Sequence, residues 1–501
     1  MYKSKEQSLE NTGRISEGLT WSARRIIFGE TVDSALDAEL KLISLVDIAH
    51  LTMLAECGII DRDKACRLVS EINKLRAIDF EPLRSRMAPR GLYLLYENYL
   101  IEKLGPQTGG TLQTARSRND LNATVLRLRL REVYLRLLRE SLRLYAVVLR
   151  RSRRYADVVM PAYTHFQAAV PITYGHYLAG IACALARDIG AIIESSKDLD
   201  RCPLGAGAVG GTSLPIRPDR TASLLGFDKP VLHSVDSVAS RDLVLRLLAS
   251  SAILGVTLSR VSNDLLVWNT SEFGFLIVPD NLVGSSSMMP QKRNLFLLEH
   301  IQGRSTSTVG AFVSSAMGMH KAPFTNSIAV GTEAVAPVWN ALKGLTEAVV
   351  LLRLVIAGAS PQRETMLRAA EKGYTSATEF ANRLAVEGGM AFRTAHHAVG
   401  SLIRTALEND GSTLQEIASR WSQTNDSAIS LQGLDPTTVA QTADYGGGPG
   451  RRSFRDTVSS LLSEWAVFTR EKKEQTHKWR GAQKALDEAA RQLCESEQGS
   501  D

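Results

Sequence analysis

The sequence predicts an all-α protein organised around very long helices, and three observations carry the prediction. Proline is scarce, with 16 in 501 residues, so few positions bar helix continuation. Apolar residues recur at three- and four-residue spacing at Leu121, Val125, Leu128, Leu135, Leu138, Leu142, Tyr145 and Leu149, the period of one helical face. From Ser237 to Phe275 the chain is free of proline and dense in Leu, Val and Ala.

The first periodic segment makes a helix of about ten turns. Asp120 is placed to cap its start, and Pro161 bars its simple continuation. The second, from about Asp236 to Trp268, is too long for an isolated surface helix. Its apolar residues exceed one narrow stripe, so it is expected to touch several neighbours and other subunits, making the protein an obligate oligomer. Glycine-rich stretches at 205–212, 284–287 and 446–450 read as loops between helices. None follows a strand or has the spacing of a phosphate-binding loop.

Composition excludes several classes. Hydrophobic residues at 44% and charged residues at 22% are those of an ordinary globular chain. The formal charge of +6 arises from 59 basic against 53 acidic residues spread along the chain. The densest basic stretch, Arg127 to Arg154, reads as a solvated helix face, so no nucleic-acid partner is expected, and a small anionic substrate accounts for the bias equally well. Cys57, Cys66, Cys183, Cys202 and Cys494 are odd in number and lack CxxC spacing, which predicts reduced, mostly buried thiols and no zinc site. The start, MYKSKEQSLE, has no apolar signal core, and no stretch reads as a membrane span, so a cytoplasmic protein is expected. The remaining histidines, His176, His233, His300, His320, His396 and His397 among them, have no metal-ligand spacing and read as structural.

The most informative segment is Gly284-Ser-Ser-Ser-Met-Met-Pro-Gln-Lys-Arg-Asn294, which packs hydroxyls, a lysine and an amide into a turn-prone stretch. It resembles the SSxMPxKxN signature of the aspartase/fumarase superfamily at Ser286, Ser287, Met289, Pro290, Lys292 and Asn294, and Gln291 points to the argininosuccinate lyase branch. Other segments agree in order: Thr114-Ala-Arg-Ser-Arg-Asn-Asp120, Tyr163-Thr-His-Phe-Gln167, Pro203-Leu-Gly-Ala-Gly207, Ser271-Glu-Phe-Gly-Phe275 and Lys372-Gly-Tyr-Thr-Ser-Ala-Thr378.

The resemblance implies an aspartase/fumarase-like fold, with a long central helical bundle flanked by two small helical domains. The divisions expected are 1–120, 121–365 carrying the 284–294 loop, 366–450, and terminal helices at 451–501. It also implies a homotetramer whose sites draw on three subunits, acting on a small dicarboxylate without cofactor or metal. Removing a proton beside a carboxylate builds a doubly charged aci-carboxylate, so such a site needs fixed donors and cations. Lys292 and Asn294 suit that task. By resemblance Ser286 is the general base. Arg118 and Asn119 grip substrate carboxylates, and Thr164 binds a carboxylate beside His165, whose carboxylate partner is Glu299, with either His165 or water as the general acid. Ser117, Gln167 and Ser287 complete the substrate-binding candidates, although for Ser117 and Asp120 the residue types alone favour a helix-cap role.

The chain also departs from the argininosuccinate lyase pattern. Where those enzymes carry Tyr-Asn-Lys-Asp-Leu-Gln-Glu-Asp-Lys, whose Tyr, Gln and Lys reach the arginine end of the substrate, this sequence has Pro323-Phe-Thr-Asn-Ser-Ile-Ala-Val-Gly-Thr-Glu333. Glu97-Asn-Tyr-Leu100 replaces Glu-Asp-x-His, and Gln113-Thr-Ala-Arg116 replaces His-Thr-Gly-Arg. A pocket that loses three polar contacts to one substrate discriminates against it. The expected activity is therefore β-elimination of an amine from another N-substituted aspartate, releasing fumarate. Phe324, Val330 and Glu333 suit a smaller, more apolar or cationic amine, as in ethylenediamine-disuccinate lyase. Argininosuccinate, nitrosuccinate and a silent crystallin-like homologue are the alternatives.

Overall fold

The computed structural model describes residues 18–33, 36–88, 90–409, 411–425 and 429–495, so the leader-free reading of residues 1–10 lies outside it. The first layer contains α1 (Lys41–Glu56), α2 (Arg62–Ala77) and α3 (Leu92–Leu104). Asp61 caps α2 by accepting the Asp63 N–H at 2.9 Å, and Leu51, Ile72 and Tyr96 are fully buried between these helices.

Next comes α4 (Arg118–Arg154), whose 37 residues span about 55 Å. Ser117 is its N-cap and Asp120 the third residue of a capping box, so the cap is three residues earlier than expected. Beyond α4, β1 (Val159–Thr164) and β2 (Gln167–Thr173) form an antiparallel hairpin around Pro161. The bundle is completed by α5 (Tyr174–Ser195), α6 (Asp242–Asn269), α7 (Phe296–Met319) and α8 (Pro337–Gly358). Helix α6 packs on α7, α7 on α8, α8 on α4, α4 on α5 and α5 on α6, enclosing one apolar core.

The expected helix from Asp236 is broken: Ser234–Ala239 is a separate short helix, and Ser240 is extended (ψ 129°) before α6 begins. By length and hydropathy alone α6 could cross a membrane, which the sequence reading had not anticipated, yet half of its most apolar window is buried inside the protein. A smaller core gathers Phe380, Leu384, Val399, Leu414, Ala418 and Leu434. The terminal stretch is one helix, α9 (Arg451–Glu495), which runs back along the molecule. On the bundle, the Tyr145 hydroxyl donates to the Leu461 carbonyl (3.0 Å) and Trp465 Nε1 to that of Leu142 (3.1 Å); on the first layer, Arg62 donates to the Leu493 carbonyl (2.9 Å).

Two further expectations are corrected. Arg127, Arg131 and Arg151 are buried, so the Arg127–Arg154 stretch is no simple solvated face. A helix surrounded on several sides turns some of its polar positions inward, where Arg131 donates to the carbonyls of Leu225 (2.8 Å), Gly226 (3.1 Å) and Leu199 (3.2 Å). The thiols are not all reduced either: α9 brings Cys494 against α2, where it forms a disulfide with Cys66, Cα to Cα 5.2 Å. Of the free thiols, only Cys202 is fully buried.

Candidate active site

The start of α4 is built by its own polar residues. The Asn119 N–H donates to Ser117 Oγ (3.2 Å), while Asp120 Oδ1 accepts the Ser117 and Leu121 N–H groups, both at 3.0 Å. Asp120 Oδ2 accepts the N–H groups of Gly205 (3.1 Å) and Gly207 (2.9 Å), fastening the 203–212 loop to the helix. Gly207 has φ 61°, and a Cβ there would lie 2.7 Å from the Gly211 carbonyl oxygen, so only glycine fits. Burial pushes the Asp120 carboxyl up, against the pull of these N–H donors.

The preceding loop rests on a buried ion pair. Arg116 donates to Asp47 Oδ1 at 2.6 Å and to the Tyr93 hydroxyl at 2.8 Å. Beside it His50 Nε2 donates to the Thr114 carbonyl at 2.8 Å, and burial drives the His50 pKa down to about 3, so this imidazole is neutral. Arg118 is exposed and touches the Arg90 carbonyl at 3.3 Å. Asn119 points into the loop: its Nδ2 donates to the Ala208 carbonyl (3.3 Å), and its Oδ1 accepts Nδ2 of Asn326 (3.0 Å). The departing segment 323–333 thus lands on one of the predicted site residues.

Thr164, His165, Phe166 and Gln167 form the exposed tip of the β1–β2 hairpin. His165 (φ 52°) and Phe166 (φ 61°) are both left-handed, the backbone of a two-residue type I′ turn that neither residue favours. Such strain persists where the surrounding structure imposes it, often at functional sites. Phe166 is 85% exposed.

The 284–294 segment is a small hairpin, with Gly284 opposite Asn294 and Ser285 opposite Arg293. Its base is pinned by Arg293, which donates to the Val278 carbonyl (2.8 Å) and Asp280 Oδ1 (2.6 Å). A Cβ on Gly284 would meet the Phe296 ring at 2.9 Å, which explains glycine there. Ser286 Oγ accepts the N–H groups of Met288 (3.3 Å) and Met289 (3.0 Å), so two amide dipoles converge on the hydroxyl. Ser287 and Lys292 are exposed on the loop, and Glu299 is exposed in the first turn of α7.

A single chain therefore unites Asn119, the 205–212 loop and Asn326. The His165 tip, the Ser286 loop and Glu299 stand as separate exposed groups. Among the described residues no side-chain hydrogen bond or ion pair joins His165 to Glu299, or either to the Asn119 cluster. Sequence reading missed Asn326, and also Arg241, whose Nη2 lies 3.8 Å from where a Gly331 side chain would begin. An arginine at the N-cap of an apolar helix was the available signal for the latter.

Residues 93–310 match a family model described as lyase, and residues 374–439 one described as argininosuccinate lyase C-terminal. The argininosuccinate lyase of Methanothrix thermoacetophila is 33% identical over 87% of this chain and 93% of its own length. That of Methanothermobacter thermautotrophicus is 31% identical over 90% and 97%. The crystal structure of EDDS lyase in complex with formate superposes with a TM-score of 0.83 at 25% identity, covering 98% of both chains. With this agreement over nearly its whole length, the chain is a carbon–nitrogen lyase belonging to the argininosuccinate lyase family of the fumarase/aspartase superfamily.

Proposed function

We propose that this lyase removes an amine other than arginine from an N-substituted aspartate and releases fumarate. The observation that supports the reading is one contact of the 323–333 segment: Asn326 Nδ2 donates to Oδ1 of Asn119, a residue proposed here to bind a substrate carboxylate. The groups suited to the fumarate half are all present, while this segment has no Tyr, Gln or Lys.

In the proposed reaction Ser286, as alkoxide, takes the Cβ proton. The electron pair forms the aci-carboxylate, held by Lys292, Asn294 and the loop amides, then collapses to the Cα–Cβ double bond as the C–N bond breaks. The amine leaves with the bonding pair and takes a proton from His165, paired with Glu299, or from water. Convergence of two N–H groups on Ser286 Oγ favours negative charge there. Arg118, Asn119, Thr164, Ser287 and Gln167 hold the carboxylates, with Ser117 shaping the helix start.

The exposed apolar side chains Ile253, Val256, Val313 and Met317 on α6 and α7 support self-association, and a homotetramer would let separate chains bring the His165 tip, Ser286 loop and Asn119 cluster together. The names of the curated relatives favour the competing reading, argininosuccinate itself.

Fumarate absorbs in the ultraviolet where saturated aspartates do not. Purified protein with fumarate and a panel of amines, diamines, amino acids, nitrite and arginine, beside Ser286→Ala, tests the proposal. Consumption with a non-arginine amine, lost in the variant, supports it. Consumption with arginine alone, or with nothing, refutes it.

A further inference from the structure

Away from every residue assigned above to the lyase site, α1, α4 and α9 enclose a groove of about 590 Å³. Its polarity follows from how α9 lies on α4. Leu461 meets Tyr145, Trp465 meets Leu142, and the Trp479 ring lies 4.7 Å from the Arg131 guanidinium, so the two helices run antiparallel. Lys472 therefore stands level with Arg136 and Arg139, and Leu486 level with Leu128. The groove has a cationic end at Arg136, Arg139 and Lys472 and an apolar end at Leu42, Leu45, Leu128 and Leu486, leucines that belong to the first-layer core. From Leu128 to Arg136 is about 12 Å along α4.

The charges in the groove are out of balance. Arg131, Arg136, Arg139, Lys472 and Arg480 line it, and Glu132 is the one carboxylate among the described lining residues. Arg139 pairs with Glu140 (3.1 Å) and Arg131 lies 3.6 Å from Asp200, whereas among the described residues no carboxylate pairs with Arg136, Lys472 or Arg480. Arg131 is 5% exposed and held between the Phe227 and Trp479 rings, and its buried Nε has no partner. Three uncompensated cations and an unused buried donor, next to half-buried leucines, favour an anion that carries an apolar body. Guanidinium suits a carboxylate head in particular, because its donors match the two oxygens.

We infer that this groove is a second ligand site, which takes a free carboxylate bearing a hydrocarbon tail of medium length. The carboxylate sits at Arg136 and Lys472, and the tail runs roughly 12 Å along α4 towards Leu42, Leu45 and Leu486. The site is built by α1, α4 and α9, and not by the α6 and α7 side chains proposed for self-association.

Titration calorimetry on the purified full-length protein tests this with decanoate, 1-decanol and acetate below micelle formation, and with phosphatidylglycerol vesicles. Decanoate should bind at least tenfold more tightly than decanol or acetate. Affinity should rise about fourfold per CH2 from hexanoate through octanoate to decanoate, the gain from burying each CH2. The double variant Arg136→Gln, Lys472→Gln should bind decanoate at least tenfold more weakly, no better than decanol, with fumarate turnover and oligomeric state unchanged. The chain-length series in wild type keeps the test valid if that variant does not fold. Equal binding of decanoate and decanol, no gain with tail length, undiminished binding in the folded variant, binding of vesicles alone, or no binding of decanoate would each overturn the inference and leave the lyase reading standing. A variant that changes its oligomeric state would also overturn it, by assigning the groove to a second copy of the chain.

Discussion

Replacing Asp120 by alanine should loosen the site from beneath. The carboxylate is fully buried and accepts four backbone N–H groups, from Ser117, Leu121, Gly205 and Gly207. Leu121 keeps a second acceptor in the Ser117 carbonyl at 3.2 Å, which leaves three donors without partners. A buried donor left unsatisfied costs about 1–3 kcal/mol, and relaxation of the loop recovers part of it, so a loss of about 5 kcal/mol is expected. With an unfolding entropy of about 2 cal/mol/K per residue, a cooperative unit of this size falls by about 5 °C in Tm. Asp120→Asn keeps one carbonyl oxygen and should lose about half as much. The 203–212 loop would also shift from Asn119, whose Nδ2 bonds the Ala208 carbonyl, so kcat/KM should fall by more than tenfold. Scanning calorimetry and the fumarate assay read both effects. An alanine variant melting within 1 °C of wild type would refute the assignment of Asp120 as the tie between loop and helix.

Other expectations follow from the same contacts. His50 is held neutral, with a folded pKa of about 3 against an unfolded value near 6.5, so the unfolded chain takes up the proton first and stability falls as pH drops below about 6.5. The loss should approach roughly 4–5 kcal/mol near pH 3, and His50→Gln should flatten that part of a Tm-against-pH curve. Gly284→Ala drives a methyl into the Phe296 ring, and the displaced Ser286 loop should lower kcat at least tenfold with little change in Tm. Cys66→Ser removes a cross-link spanning 428 residues of sequence. It should destabilise by up to about 5 kcal/mol, with dithiothreitol reproducing the Tm shift in wild type and leaving the variant unchanged.

The helical character, the long α4 and the 284–294 and 205–212 loops were legible because they follow from residue period and from glycine and proline, which act over a few positions. The start of α4 was misread by three residues because Ser117 and Asp120 are both competent caps, and only the shared capping box decides between their roles. The break at Ser240 left no proline or glycine to announce it. The candidate residues at Ser286, Lys292, His165 and Asn119 stood out because their order and spacing are those of a signature.

Sequence alone thus determined the fold class, the lyase family and the candidate segments for the chemistry. Tertiary structure decided what those segments touch: the burial of Arg127, Arg131 and Arg151, the Cys66–Cys494 pair, the Asp120 tie to Gly205 and Gly207, and the bond from Asn119 to Asn326. The physical reason is range. Periodicity and turn propensity are set by neighbours in the chain, whereas Asn119 and Asn326 lie 207 residues apart and meet only because the bundle packs their elements together.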